Sequence, residues 1–175
     1  MTSADLLTDA FDRIREAVHE TVQGLSEDEL SYRLDPAANS IAWLVWHLTR
    51  VQDEHLAELT GAGARWTERG WCERFDLPLD RQATGYAATA EEVGAVRAPA
   101  ELLTGYHDAV YQQTRRYVGE RTDADLATVI DEGWDPPVTM GVRLVSVIAD
   151  DLQHVSHAAF IRGVVLRESR AAVDG

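Results

Sequence analysis

A single cysteine, Cys72, in 175 residues excludes an intramolecular disulfide framework and fits a reducing compartment. Set in an aromatic-rich stretch, it reads as a packing residue. Basic side chains are also scarce: 16 Lys+Arg stand against 30 Asp+Glu, a net charge of -14. Such a chain repels a phosphate backbone, and its one basic cluster, Arg115-Arg116, reads as a solvated helix face, so nucleic acid is not an expected partner. Nowhere is there an apolar run long and uncharged enough to span a bilayer. The opening "MTSADLLTDAFDRIREAV" is charged from Asp5 onward, where a signal peptide would be apolar. The expectation is a cytoplasmic protein without a membrane partner, and the length suits one domain, residues 1–175, with one core.

What is present is helical periodicity. Leu7, Phe11, Ile14, Val18, Val22 and Leu25 recur at steps of three and four, with a capping box at Thr2/Asp5 and a terminating Gly24. A second helix begins at Asn39 or Ser40, is almost continuously apolar from Ile41 to Leu48, and stops at Gly61. Residues 61–99 lack sustained periodicity and read as a long connection with short helices, one opened by the capping box Thr89/Glu92. A third long helix runs from about Pro99 through Tyr106 and Val110 to Val118, followed by a short turn at Thr122. Pro136-Pro137 makes "DEGWDPPVTMG" a loop, and a fourth helix runs from near Thr139 towards Leu166. The tail is expected to fray from about residue 168. Four long helices, one long crossover, short accessory helices and no alternating strand segment define an all-α four-helix bundle.

In the last helix, "VIADDLQHVSHAAFIRG" interrupts an apolar stripe with Asp150, His154 and His157. Steps of four and three residues put all three on one face. A buried carboxylate without a partner costs several kcal/mol, on the order of 3–5, so something must compensate it. His47 lies on a stripe of the second helix with Leu44, Val51 and Glu54. Asp150 and His154 can aim two donors at one point, with His47 adding a third from across the core. Three protein ligands would leave open positions, the layout of a catalytic metal site. The competing reading is a hydrogen-bonded Asp–His pair or a core histidine without metal. His19, His55 and His107 read as surface residues.

"NSIAWLVWHLTRVQDEHLAELTG", "GWCERFDLP" and "GWDPPVTMGVRLVSVIADDLQHVSHAAFIRG" together, in this order, resemble the DinB-like four-helix-bundle superfamily. They are most similar to its branch of actinobacterial proteins related to mycothiol-dependent enzymes. The resemblance covers most of the chain from Asn39 to Gly163. It implies a divalent metal, zinc or nickel, held by a histidine of the second helix and a pair spaced by four on the last. The matching residues here are His47, Asp150 and His154. In many relatives the pair is two histidines; the maleylpyruvate isomerase branch resembles this chain in having a carboxylate first. His157 stands where relatives often carry glutamine, which leaves a fourth ligand, a supporting donor and a substrate contact all open.

The chemistry the resemblance implies is metal-dependent use of a low-molecular-weight thiol: mycothiol-dependent S-transfer to a small electrophile, or thiol-dependent isomerisation. The alternatives are a non-catalytic metal-binding stress protein and a metal-dependent hydrolase. Glu54 would orient a ligand histidine or move a proton, or else form a surface salt bridge. Arg143 would pair with Asp150 or hold a substrate carboxylate. Trp66, Trp71 and Trp134 would wall the pocket or pin loops to the core. Expected partners are a small thiol and an electrophile, with a homodimer left open.

Overall fold

A computed structural model of the chain describes residues 1–173. Among them four long helices carry the architecture: α1 (Ser3–Val22), α3 (Ile41–Thr60), α7 (Ala100–Gly119) and α9 (Met140–Val173). Between them lie α2 (Glu27–Leu30), α4 (Arg65–Glu68), α5 (Trp71–Phe75), α6 (Ala90–Ala95) and α8 (Asp123–Leu126). The long helices form a ring in which α1 and α3 each pack between α7 and α9. This is the all-α bundle expected from the periodicity, with the long crossover between α3 and α7.

Local chemistry sets the helix starts. Thr2, Ser26, Thr89 and Thr122 each cap a helix reciprocally with an acidic residue three positions on. Ser40 Oγ accepts the Trp43 N–H at 3.1 Å, and Gly61 closes α3 in the left-handed conformation, φ 67°. The α1 stripe Phe11, Ile14, Val18 and Val22 is buried as its spacing requires. On α3 burial is continuous from Ile41 to Arg50, because the crossover covers the side that α7 and α9 leave uncovered. Each large apolar side chain so buried contributes about 1.5–3 kcal/mol relative to exposure.

Two expectations are corrected. "DEGWDPPVTMG" is not wholly irregular: β1 (Val129–Asp131) and β2 (Val138–Thr139) pair antiparallel, with Val129 opposite Thr139. The turn tolerates proline because the prolines lie outside the paired residues. At the other end α9 continues to Val173, and Tyr32 Oη donates to Glu168 at 3.2 Å and Ser169 Oγ to Glu29 at 3.0 Å, tying this end to the α2 region. His107 is not a surface residue but wholly buried, and neither ring nitrogen has a partner among the described residues. Its α7 neighbours Tyr106, Val110 and Tyr111 are buried too, so a face that reads as mixed in sequence packs inward. No helix among the described residues is long and apolar enough to cross a membrane.

Candidate metal centre

His47 sits near the middle of α3, and Asp150 and His154 one turn apart on α9, the helix packed against it. One ligand atom from each of the three lies within 4.8 Å of the other two. Neighbouring ligands of a tetrahedral ion bound at 2.0–2.2 Å stand about 3.4 Å apart, so small side-chain rotations would close the set.

Hydrogen bonds fix which nitrogen each ring offers. His47 Nδ1 lies 2.5 Å from the carbonyl oxygen of Thr84. A carbonyl only accepts, so Nδ1 carries the proton and the neutral ring keeps its lone pair on Nε2. His154 Nδ1 lies 2.8 Å from the main-chain oxygen of Asp150, which assigns its tautomer the same way. Burial lowers the His47 pKa from the ordinary histidine value, against the opposing pull of the Thr84 carbonyl, and holds the ring neutral as metal ligation requires. Asp150 Oδ2 is buried and has no hydrogen-bond partner among the described residues. It lies 3.6 Å from His154 Nδ1, too far for a hydrogen bond, and that nitrogen's proton is already given to a carbonyl. The donor set of two imidazoles and an unpaired carboxylate oxygen fits a divalent transition ion and leaves a hydrogen-bonded Asp–His pair without its bond.

The other candidate residues stand apart from this group. His157 is exposed, its ring centroid 6.5 Å from that of His154. It lines a hollow of about 210 Å³ with Leu34, Asn39, Leu44, Phe160 and Ile161. Glu54 forms an ion pair, but with a buried arginine: its Oε1 accepts from Arg50 Nη2 at 2.6 Å. Arg143 does not pair with Asp150. Its guanidinium meets Glu58 at 3.1 Å, Asp131 at 3.3 Å and His55 Nδ1 at 3.0 Å, two turns away along α9, where α3 and β1 each supply a carboxylate.

Of the tryptophans expected at the site, Trp66 is buried against Tyr106 and Phe75 and donates Nε1–H to Arg81 O at 2.9 Å, and Trp71 packs on Tyr106. These two pin the crossover to the core; Trp134 is exposed beyond β1. The aromatic wall of the site is Trp43, stacked on His47 at 4.6 Å between centroids and 6.4 Å from His154.

Sequence reasoning also missed a buried polar network beneath His47. Arg50 is fully buried; its Nε donates to Ala83 O at 3.0 Å and its guanidinium stacks 5.1 Å from the Trp66 ring. Asp53 accepts the backbone N–H groups of Arg65 (2.9 Å) and Trp66 (2.8 Å) and the Tyr106 hydroxyl (2.8 Å). A signal existed for Arg50: it interrupts the most apolar helix of the chain three residues after His47.

The fold and the three donors define a helical bundle with an open, nitrogen- and oxygen-lined candidate metal site between two facing helices. Residues 6–166 match the sequence profile described as Mycothiol-S-transferase. The chain belongs to that family. It is also similar to a solved protein, titled "Crystal structure of the conserved protein of locus from Enterococcus faecalis", at 32% identity and a TM-score of 0.88 over 95% of this chain and 98% of that one. Among curated proteins none matches.

Proposed function

We propose that the protein is a metal-dependent thiol S-transferase that joins mycothiol, or a closely similar small thiol, to a small electrophile. The observation that carries the reading is the convergence of His47, Asp150 and His154, with a buried Asp150 oxygen that nothing else satisfies. These residues would hold zinc or nickel. The chemistry such an ion would supply is that of a Lewis acid, lowering the pKa of a thiol and favouring the nucleophilic thiolate.

The protein's own groups do the rest. Tautomers fixed by Thr84 O and Asp150 O keep both Nε2 atoms as donors. His157, exposed and one turn beyond His154, is placed to accept the thiol proton. The hollow beside it, lined mainly by Leu34, Leu44, Phe160 and Ile161, is placed to take an apolar electrophile. A sulfur–carbon bond forms there as the electrophile's leaving group departs with the bonding pair, and His157 passes the proton to solvent. Family membership supports the thiol; the site geometry supports the metal.

The test is a cobalt-substituted preparation titrated with mycothiol. Sulfur ligation should change the visible spectrum, and the Cys72→Ser variant should change identically, which excludes the chain's own sulfur. Conjugation of mycothiol to chlorodinitrobenzene should then disappear in His47→Ala. A spectrum indifferent to thiols, with no conjugation above the uncatalysed rate, would leave a binding protein or a hydrolase.

A further inference from the structure

The segment between Trp71 and Ala90 lies across α3 as a strap, and three of its carbonyls are taken by side chains beneath it. Arg81 O accepts from Trp66 Nε1 at 2.9 Å, Ala83 O from Arg50 Nε at 3.0 Å, and Thr84 O from His47 Nδ1 at 2.5 Å. Arg50 and His47 stand three residues apart, one above the other on α3, and they bind consecutive carbonyls. The next residue, Gly85, has φ +91°. A Cβ there would lie 2.6 Å from His47 Nδ1 and 3.1 Å from the Trp43 and Trp46 rings. Only glycine allows the strap to lie this close to the imidazole.

A fully buried guanidinium is an expensive way to hold a loop, since an apolar side chain of similar volume would fill the space without the desolvation cost. What an apolar residue cannot do is aim a carbonyl. The Arg50 guanidinium donates through Nε to Ala83 O and through Nη2 to Glu54 Oε1, two N–H groups on one edge of a rigid plane that is also stacked on Trp66, so its orientation is fixed. That fixes the strap's register against His47.

We propose that Arg50 and Gly85 are positioning residues of the metal centre: Arg50 holds the strap in register and Gly85 lets it close, so that the Thr84 carbonyl takes the His47 Nδ1 proton and Nε2 faces Asp150 and His154. This rests on the metal reading of those three residues. Glu54 then acts at two removes, as the counter-ion that orients Arg50. Partners that fix a ligand histidine's tautomer usually account for about 10–100-fold in metal affinity.

The experiment has two readouts on Arg50→Met, Arg50→Lys and Gly85→Ala. In metal-free protein, nitrogen-15 NMR of the ring at neutral pH reports the His47 tautomer. Chelator competition gives zinc affinity. In the wild type His47 should be almost wholly Nδ1–H. In Arg50→Met and Gly85→Ala it should become a mixture and zinc should bind about 10–100-fold more weakly, while circular dichroism keeps its helical signal. Arg50→Lys keeps the charge but not the rigid pair of donors, and should resemble Arg50→Met. Should Arg50→Met not fold, Gly85→Ala, which leaves the network intact, decides alone. An unchanged tautomer and unchanged zinc affinity in the folded variants would reduce the strap to a loop anchor and overturn the proposal. A wild type that binds no zinc would remove the metal reading, yet the tautomer in the metal-free variants would still decide the clamp.

Discussion

Trp43 lies nearly flat on His47, with ring centroids 4.6 Å apart and 15° between planes. The indole therefore shields one face of the candidate ligand imidazole and stands within a few ångströms of the candidate metal position. Nickel or cobalt bound at His47 should quench Trp43 fluorescence, whereas zinc, with its filled d shell, should quench it much less. Titration of Trp43→Phe should lose most of the nickel-dependent quench. An unchanged quench in the variant would place the ion elsewhere.

Replacing His154 by alanine removes one donor and, at its partly exposed position, only a small part of the core. Metal binding should become undetectable by equilibrium dialysis while the thermal midpoint of the metal-free protein moves little, by about 1 kcal/mol in stability or less. Loss of the fold instead would mean that His154 holds α3 to α9 structurally.

His107 gives the protein an acid sensitivity with a definite sign. Burial drives its pKa down to about 4, whereas an unfolded chain has a histidine near the reference value of about 6.5. Between those values the unfolded chain binds a proton that the folded one refuses, so stability present above pH ~6.5 is lost as the pH falls towards 4. From pH 7 to pH 5 this group should remove about 2 kcal/mol. Urea unfolding at both pH values should show that loss, and His107→Phe should lack this share of it; equal slopes in the two proteins would contradict the assignment.

The Tyr106 hydroxyl reaches Asp53 at 2.8 Å inside the core, where a bond to a carboxylate contributes roughly 1.5–3 kcal/mol. Tyr106→Phe should lower stability by about that amount with the denaturant m-value unchanged. Asp53→Ala should cost more, on the order of 3–5 kcal/mol, because Arg50 is left a buried charge without this neighbour and the Arg65 and Trp66 N–H groups lose their acceptor. If the alanine variant proves no less stable than Tyr106→Phe, the network is not holding the crossover to α3.

The four long helices were legible because an amphipathic helix writes its buried face at a period of 3.6, and their caps because a Ser or Thr followed by an acidic residue three positions on satisfies backbone donors locally. Asp150 and His154 were legible for the same reason: two donors four residues apart share a face wherever the helix goes. His47 could be proposed as their partner from its stripe, and the family from the order of the motifs. Arg143 misled because its partners are remote in sequence, and His107 because the direction its helix face turns is set by packing. Arg143 answers to Asp131 and Glu58, carboxylates on β1 and α3, and His107 lies on a part of α7 whose mixed polarity does not say which way it turns.

By itself, then, the sequence determined the helices, their inward faces and the residue types available for a metal, all consequences of short-range backbone geometry and of the burial of apolar side chains. Only the tertiary structure decided what lies opposite each of those faces. It set His47 against Asp150 and His154 across the α3–α9 contact, left the Asp150 oxygen without a partner among the described residues, and brought the Thr84 carbonyl to His47 Nδ1. A loop carbonyl has no side-chain signature, and its direction is set by contacts such as Arg50 to Ala83, 33 residues apart; such contacts exist only once the chain has packed.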